Sequence, residues 1–316
     1  MVRYHALFTG LFRNEPLHVN VSAQEKVDLL KQNSIDVHWY TWKGYVTEES
    51  KKLDINIVEI DEPENMSHSK SVIGRQRQIL NVKKGLSQIP EQDIVLKSRW
   101  DLDFNETTIA NLTNKNFFEP VENGLINNKV WIAFYSIQEM FSVSDQMYAG
   151  YQKDLNKLIN YRYKIKDISA DNYIAHDGMQ LMPVLIGNNA KVCDIIKSDT
   201  VDPWSLMFKE SHVKQKKYIT AWAYSYSLIN KYFKTGPKGT SFFKRGDQSR
   251  WPGAIVDYEK FYENYITVFS SKGRLCSYPR YRVYDDIFIK RLINGEYEDE
   301  FATSIYNEIK ERRWNE

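Results

Sequence analysis

Asp101-Leu102-Asp103 is the one D-x-D in the chain, and it follows the run Ile94-Val95-Leu96-Lys97-Ser98-Arg99-Trp100. Two carboxylates two residues apart on extended backbone point the same way. Together they offer hard oxygen ligands to Mg²⁺ or Mn²⁺ and leave positions open for a diphosphate. The loop beyond a strand's carboxyl end is also where open α/β sheets bind ligands. On pattern alone, two solvated loop acids read equally well. Arg99 either serves the same anionic ligand or neutralises Asp101.

Two further acids compete for general-base work. Asp177, in His176-Asp177-Gly178-Met179, opens a predicted helix, where a carboxylate also serves as an N-cap. Asp145 stands just before Tyr148 and Gly150. His176 and His212 are candidate additional metal ligands, with His176 the better placed. HExxH, Walker A, GxGxxG and GxSxG patterns are all missing, so zincin, P-loop, dinucleotide and nucleophile-elbow readings lose their fingerprints.

These residues need a frame. Tyr4–Thr9, Val37–Thr41, Ile55–Ile60 and Ile94–Lys97 read as strands. Between them, Ser22 and Glu25 have capping-box spacing and open a helix to about Gln32. A second helix, capped at Ser67, runs to about Leu86. That alternation predicts a parallel α/β sheet. On the second helix Val72, Ile73, Ile79, Leu80, Val82 and Leu86 form one apolar arc. Arg75 and Gln76 fall inside it, with Arg77 and Gln78 at its margins, and a charge on a core face is costly unless paired. Arg75 either meets a buried acid or reaches toward a phosphate-bearing ligand. Further on, Val130–Phe134 and Lys191–Ile195 read as strands, Gln152–Tyr161 and Asp177–Leu185 as helices.

The 316 residues suffice for one large α/β domain or two small ones. Lys plus Arg is 43 against 41 Asp plus Glu, so charge matters locally rather than overall. From Lys209 to Arg250 ten Lys or Arg face two acids, interleaved with aromatics. That stretch fits a surface for an anionic partner or a solvated helical face. It lacks the motifs of nucleic-acid binders, and no nucleic-acid partner is expected. Aromatics reach 14% of residues, through core packing or stacking surfaces for sugars or bases. Cys193 and Cys276 lie far apart, and neither a disulfide framework nor a cysteine zinc site is indicated. With no signal-peptide pattern and no long apolar run, a cytoplasmic protein is expected, soluble or peripheral.

The run Gly74-Arg75-Gln76-Arg77-Gln78-Ile79, then Lys84-Gly85-Leu86, then Lys97-Ser98-Arg99-Trp100-Asp101 resembles the WavE-type lipopolysaccharide-synthesis glycosyltransferases. Phe8-Thr9-Gly10 and Tyr40-Thr41-Trp42 are similar to that family's first strand ends. Phe141 to Gly150 resembles its aspartate-aromatic-glycine segment. His176-Asp177-Gly178 takes the place of its Pro-Glu-Gln-like helix start, with Asp-Gly for Pro-Glu. The resemblance covers about residues 1–190. It implies a GT-A-like, Rossmann-type, mostly parallel sheet flanked by helices as a catalytic core over residues 1–195. The residue pattern beyond reads as a mainly helical, basic region over 196–316, either separate from that core or continuous with it.

The resemblance implies a nucleoside-diphosphate sugar donor, UDP-sugar foremost, and a glycan or glycolipid acceptor of the bacterial surface: lipopolysaccharide, O-antigen or capsule. The basic stretch would then meet that acceptor, or anionic lipid, at the cytoplasmic face of the inner membrane. Thr9, Gly10, Arg13, Thr41, Arg75, Arg77, Gln78 and Arg99 would then frame the nucleotide. Asp101 and Asp103 would hold the divalent cation. Asp177, and after it Asp145, would act as general base if the enzyme inverts. Two rivals from other classes are a non-catalytic carbohydrate- or nucleotide-binding protein on the same scaffold and a basic RNA-binding protein.

Overall fold

A computed structural model describes residues 2–14, 21–62, 70–133, 143, 145–159, 181, 228–234 and 242–243; side chains of 70–76 and 242–243 are not among them. The strands are β1 (Tyr4–Thr9), β2 (Ile35–Trp42), β3 (Asn56–Ile60), β4 (Ile94–Arg99), β5 (Asp103–Phe104), β6 (Val130–Ile132), β7 (Tyr148–Tyr151), β8 (Phe233–Lys234) and β9 (Phe242–Phe243). The helices are α1 (Ala23–Gln32), α2 (Lys70–Leu86), α3 (Glu106–Leu112) and α4 (Gln152–Ile159).

Seven strands form one sheet in the order β3-β2-β1-β4-β7-β6-β8. β1 pairs in parallel with β2 and β4, and β2 with β3. β7 then runs antiparallel to both β4 and β6, while β8 is parallel to β6. This is the expected α/β architecture, a mostly parallel sheet flanked by helices. β1 and β4 are buried along almost their whole length, the signature of strands covered on both faces.

Ala6, Phe8, Val37, Trp39 and Leu96 line one face and pack with Ala23, Val27 and Leu30 of α1 and Ile109 of α3. The other face carries Leu7, and Gly85 of α2 lies so close that a Cβ there would sit 2.5 Å from Leu7 Cδ1. Glycine at position 85 is therefore a packing requirement. α1 starts as its spacing predicts. The Glu25 N–H donates to Ser22 Oγ at 3.2 Å, and the Ser22 N–H donates back to Glu25 Oε2 at 2.8 Å.

α2 departs from the expected arc. Leu80 faces solvent, whereas Asn81, Val82, Gly85 and Leu86 are buried. The close approach at Gly85 turns that line of the helix toward β1, and Leu80 falls outside it. The sheet also takes β8 from beyond residue 196, and residues 228–232 are helical, so the expected boundary at 195 does not divide the sheet. Lys234 ties β8 to the core by donating to the Phe117 carbonyl at 3.0 Å and to Glu119 Oε1 at 2.7 Å. The predicted helix at Asp177–Leu185, the strand at Lys191–Ile195 and nearly all of the basic region lie outside the described residues. No helix among the described residues is long and apolar enough to cross a membrane.

At the amino ends of the strands a polar chain crosses the sheet. The Arg3 N–H donates to Asp93 Oδ1 at 3.0 Å, and His5 Nε2 lies 3.1 Å from Asp93 Oδ2. His5 Nδ1 lies 3.1 Å from His38 Nε2, and Asn56 Nδ2 lies 3.2 Å from His38 Nδ1. An ionised carboxylate only accepts, so His5 Nε2–H donates to Asp93. His38 Nε2–H then donates to His5, and the Asn56 amide donates to His38. One consistent proton arrangement leaves both rings neutral.

Burial, then the neighbouring His5, holds His38 below the ordinary histidine value, against a weaker opposing pull from Asp36. The folded state thus disfavours charged His38. Its contribution is complete above the unfolded histidine value of about 6.5 and is lost as pH falls below it. Urea unfolding between about pH 7.5 and 5 should show wild type losing more stability than His38→Gln. Parallel losses in the two proteins would refute this.

Candidate active site at the carboxyl ends of the sheet

Strand order places β1 between β2 and β4, so the chain reverses direction across the sheet between β1 and β4. Open α/β sheets bind ligands in the crevice at that switch point, outside the carboxyl ends of the strands. Thr9, the last residue of β1, pairs in register with Tyr40 of β2 and Arg99 of β4. Gly10 then turns the chain out of β1 with φ of +90°, a conformation that favours glycine. Its carbonyl accepts from Trp39 Nε1–H at 3.1 Å.

Beneath the crevice the aromatics are core. Phe8 stacks on Trp100 with centroids 4.0 Å apart, and Trp39 meets Trp100 edge-on at 6.0 Å. All three side chains are buried, so this cluster is packing rather than an open platform for a sugar.

Of the residues expected to frame a nucleotide, Thr9, Gly10 and Thr41 stand at the ends of the central strands. Both threonine hydroxyls are buried, and neither has a hydrogen-bond partner among the described residues. In-register pairing sets Thr9 on the face of Tyr40 and Arg99, so Thr41 lies on the opposite face. Arg13 is half-exposed just beyond β1. Arg77 is turned aside, since its guanidinium pairs with Glu62 beyond β3, with Nε 2.6 Å from Oε1. Gln78 binds protein instead, donating from Nε2 to the Asp145 carbonyl at 3.3 Å. Arg75 lies on α2 with its side chain outside the described residues. Asp177 and His176 lie outside them altogether.

The D-x-D does not keep the extended geometry expected of it. The Leu102 N–H donates to the Arg99 carbonyl at 3.3 Å and closes a turn over residues 99–102, so strand alternation stops at Arg99. Asp101 is gripped by Arg99 through two bonds, Nε to Oδ1 at 2.8 Å and one terminal nitrogen to Oδ2 at 2.5 Å. Asp103, on β5, lies 2.8 Å from the ammonium of Lys26, which also donates to the Trp100 carbonyl at 2.8 Å. Side-chain exposure is 1% for Lys26 and 3% for Asp103, against 29% for Arg99 and 7% for Asp101. Each carboxylate is therefore countered by a cation of the chain itself. As placed, the two aspartates do not fit a shared divalent-cation site. No cluster of three or more His, Cys, Asp or Glu side chains suited to a metal occurs among the described residues.

Asp145 is buried beside the crevice. The Lys97 ammonium, also buried, donates to the carbonyls of Asp145 and, at 3.2 Å, Gln146, and sits 5.4 Å from the Tyr148 ring centroid. Burial, reinforced by the charge of Asp145, pushes the Tyr148 phenol well above its ordinary value, so it stays protonated. Lys97 and Gln78 together pin the 145–146 backbone to the sheet. Lys97→Met should cost about 2–3 kcal/mol of stability, because two carbonyls lose a charged donor. A thermal unfolding midpoint equal to wild type would show that the pin is not needed.

The sequence assigns Lys26 no expected role and Lys97 only a place in the family-like run before Asp101, yet each carries a signal. Lys26 shares the buried face of α1 with Ala23, Val27 and Leu30, and Lys97 interrupts an apolar strand. A lysine on a core-facing position requires a partner.

No protein-family model matches the chain, so the WavE-type resemblance remains one of short motifs. No curated protein matches it either. Among solved structures, the chain is similar to mannosyltransferase PcManGT from Pyrobaculum calidifontis in complex with GDP-Man and Mn²⁺. Identity is 11% over 98% of this chain and 85% of that one, with a TM-score of 0.33.

Proposed function

We propose that the chain is a glycosyltransferase that binds a nucleoside-diphosphate sugar in the crevice between β1 and β4. The observation that carries this reading is the switch point itself, with Thr9 and Gly10 on one side and Arg99 with the following turn on the other. Arg99 supplies positive charge where a diphosphate leaving group gains negative charge. The motif order shared with the WavE-type enzymes supports the same reading and makes UDP-sugars the first donors to test. It also favours a bacterial surface glycan or glycolipid as acceptor, met at the cytoplasmic face of the inner membrane.

In the reaction, an acceptor hydroxyl oxygen forms a bond to the sugar's anomeric carbon. The bond from that carbon to the diphosphate oxygen breaks, and its electron pair leaves with the nucleoside diphosphate. The hydroxyl proton passes to a carboxylate if the enzyme inverts, with Asp177 the first candidate and Asp145 the second. Lys97 and Gln78 hold the backbone of Asp145 through its carbonyl.

Thermal stabilisation by a panel of UDP-, GDP- and TDP-sugars tests the binding step without knowledge of the acceptor. One nucleotide class should raise the melting temperature in proportion to the logarithm of its concentration, and Arg99→Ala should abolish the shift. A cooperatively melting protein that no nucleotide sugar stabilises would overturn the proposal. Binding without transfer to any glycan acceptor would favour a carbohydrate- or nucleotide-binding protein on this scaffold.

A further inference from the structure

We infer that Asp101 and Asp103 act as counter-charges to Arg99 and Lys26, and that Arg99, aimed by Asp101, rather than a metal held by the pair, meets the diphosphate. This deepens the reading above and rests on it for the ligand. The turn closed by Leu102 N–H and the Arg99 carbonyl sends Asp101 back onto Arg99. The guanidinium and carboxylate meet in a two-bond fork that engages both carboxylate oxygens. Asp103 instead faces α1, where Lys26 holds it from within the core. Among the described residues the two cations balance the two anions.

A divalent cation shared by the aspartates would have to displace both partners. Lys26 is buried on the face of α1 that packs against the sheet, and expelling it leaves an unpaired charge in the interior. Arg99 differs from the other three. It is the most exposed member, so it is the charge that an approaching ligand encounters first. Asp101 is accordingly a positioning residue that fixes the plane and direction of the Arg99 donors.

The test uses the full chain and three titrations. MnCl₂ alone, followed by calorimetry, should give no saturable binding tighter than about millimolar. UDP and GDP, each titrated in EDTA and again with Mn²⁺, should show one binding nucleotide whose affinity is unchanged within about threefold. Asp101→Asn should weaken that diphosphate about tenfold in either buffer and leave the matching monophosphate unaffected. Asp101→Glu, which keeps the carboxylate, should recover part of the loss. A general structural defect would weaken both nucleotides alike, so equal losses overturn the positioning role. Micromolar Mn²⁺ binding that disappears in Asp101→Asn or Asp103→Asn overturns the counter-charge role, as does diphosphate binding abolished by EDTA. Silence of both nucleotides in both buffers overturns the donor reading, and the Mn²⁺ titration then decides the counter-charge role by itself.

Discussion

Asp103→Asn should lower the free energy of unfolding by about 3–5 kcal/mol, although it removes only one charge and almost no volume. The reason lies with Lys26. Burial pushes its ammonium down from the ordinary lysine value, and the bond and charge of Asp103, then the charge of Asp101, oppose that shift. Without Asp103 the buried cation keeps the Trp100 carbonyl but loses its nearest anion, 2.8 Å away. Removing both partners is a different case. Lys26→Met with Asp103→Leu should recover most of the loss, because an apolar pair fills the same space with no desolvation cost. Urea unfolding followed by tryptophan fluorescence measures both variants. A loss below about 1 kcal/mol in the single variant would show that Lys26 finds water, as surface pairs do.

Arg99→Ala should reduce sugar transfer by about 10²–10³-fold, the usual consequence of removing a donor aimed at developing negative charge. Arg99→Lys should fall between, since an ammonium restores the charge but not the fork that Asp101 holds. Initial rates with the donor found by thermal stabilisation, measured beside each variant's melting temperature, separate lost chemistry from lost fold. Wild-type rates in Arg99→Ala would remove Arg99 from the site.

Much of the frame was legible because it is local. β1, α1 and the carboxyl-terminal part of α2 are visible in short-range patterns: an apolar run, a reciprocal cap, a 3.6-residue period. β2, β3, β4 and β6 were found for the same reason. β7 was not, because Tyr148-Ala149-Gly150-Tyr151 is short and its meaning comes from pairing with β4, more than fifty residues earlier. Leu80 leaves its expected place for a similar reason. The edge of a helix's buried stripe depends on what it packs against, and here Gly85 against Leu7 sets it.

The candidate site divides along the same line. The amino-acid sequence by itself determined that a strand leads into Trp100-Asp101-Leu102-Asp103, that Thr9-Gly10 ends another, and that four strands and two α-helices share the chain up to β4. Those features follow from neighbours a few residues apart. Only the tertiary structure decided that β1 and β4 lie side by side and that Asp101 turns back onto Arg99. It alone brought Lys26, far away on α1, against Asp103. A charge is read by whatever surrounds it in space, and for Asp103 that partner stands 77 positions earlier in the chain.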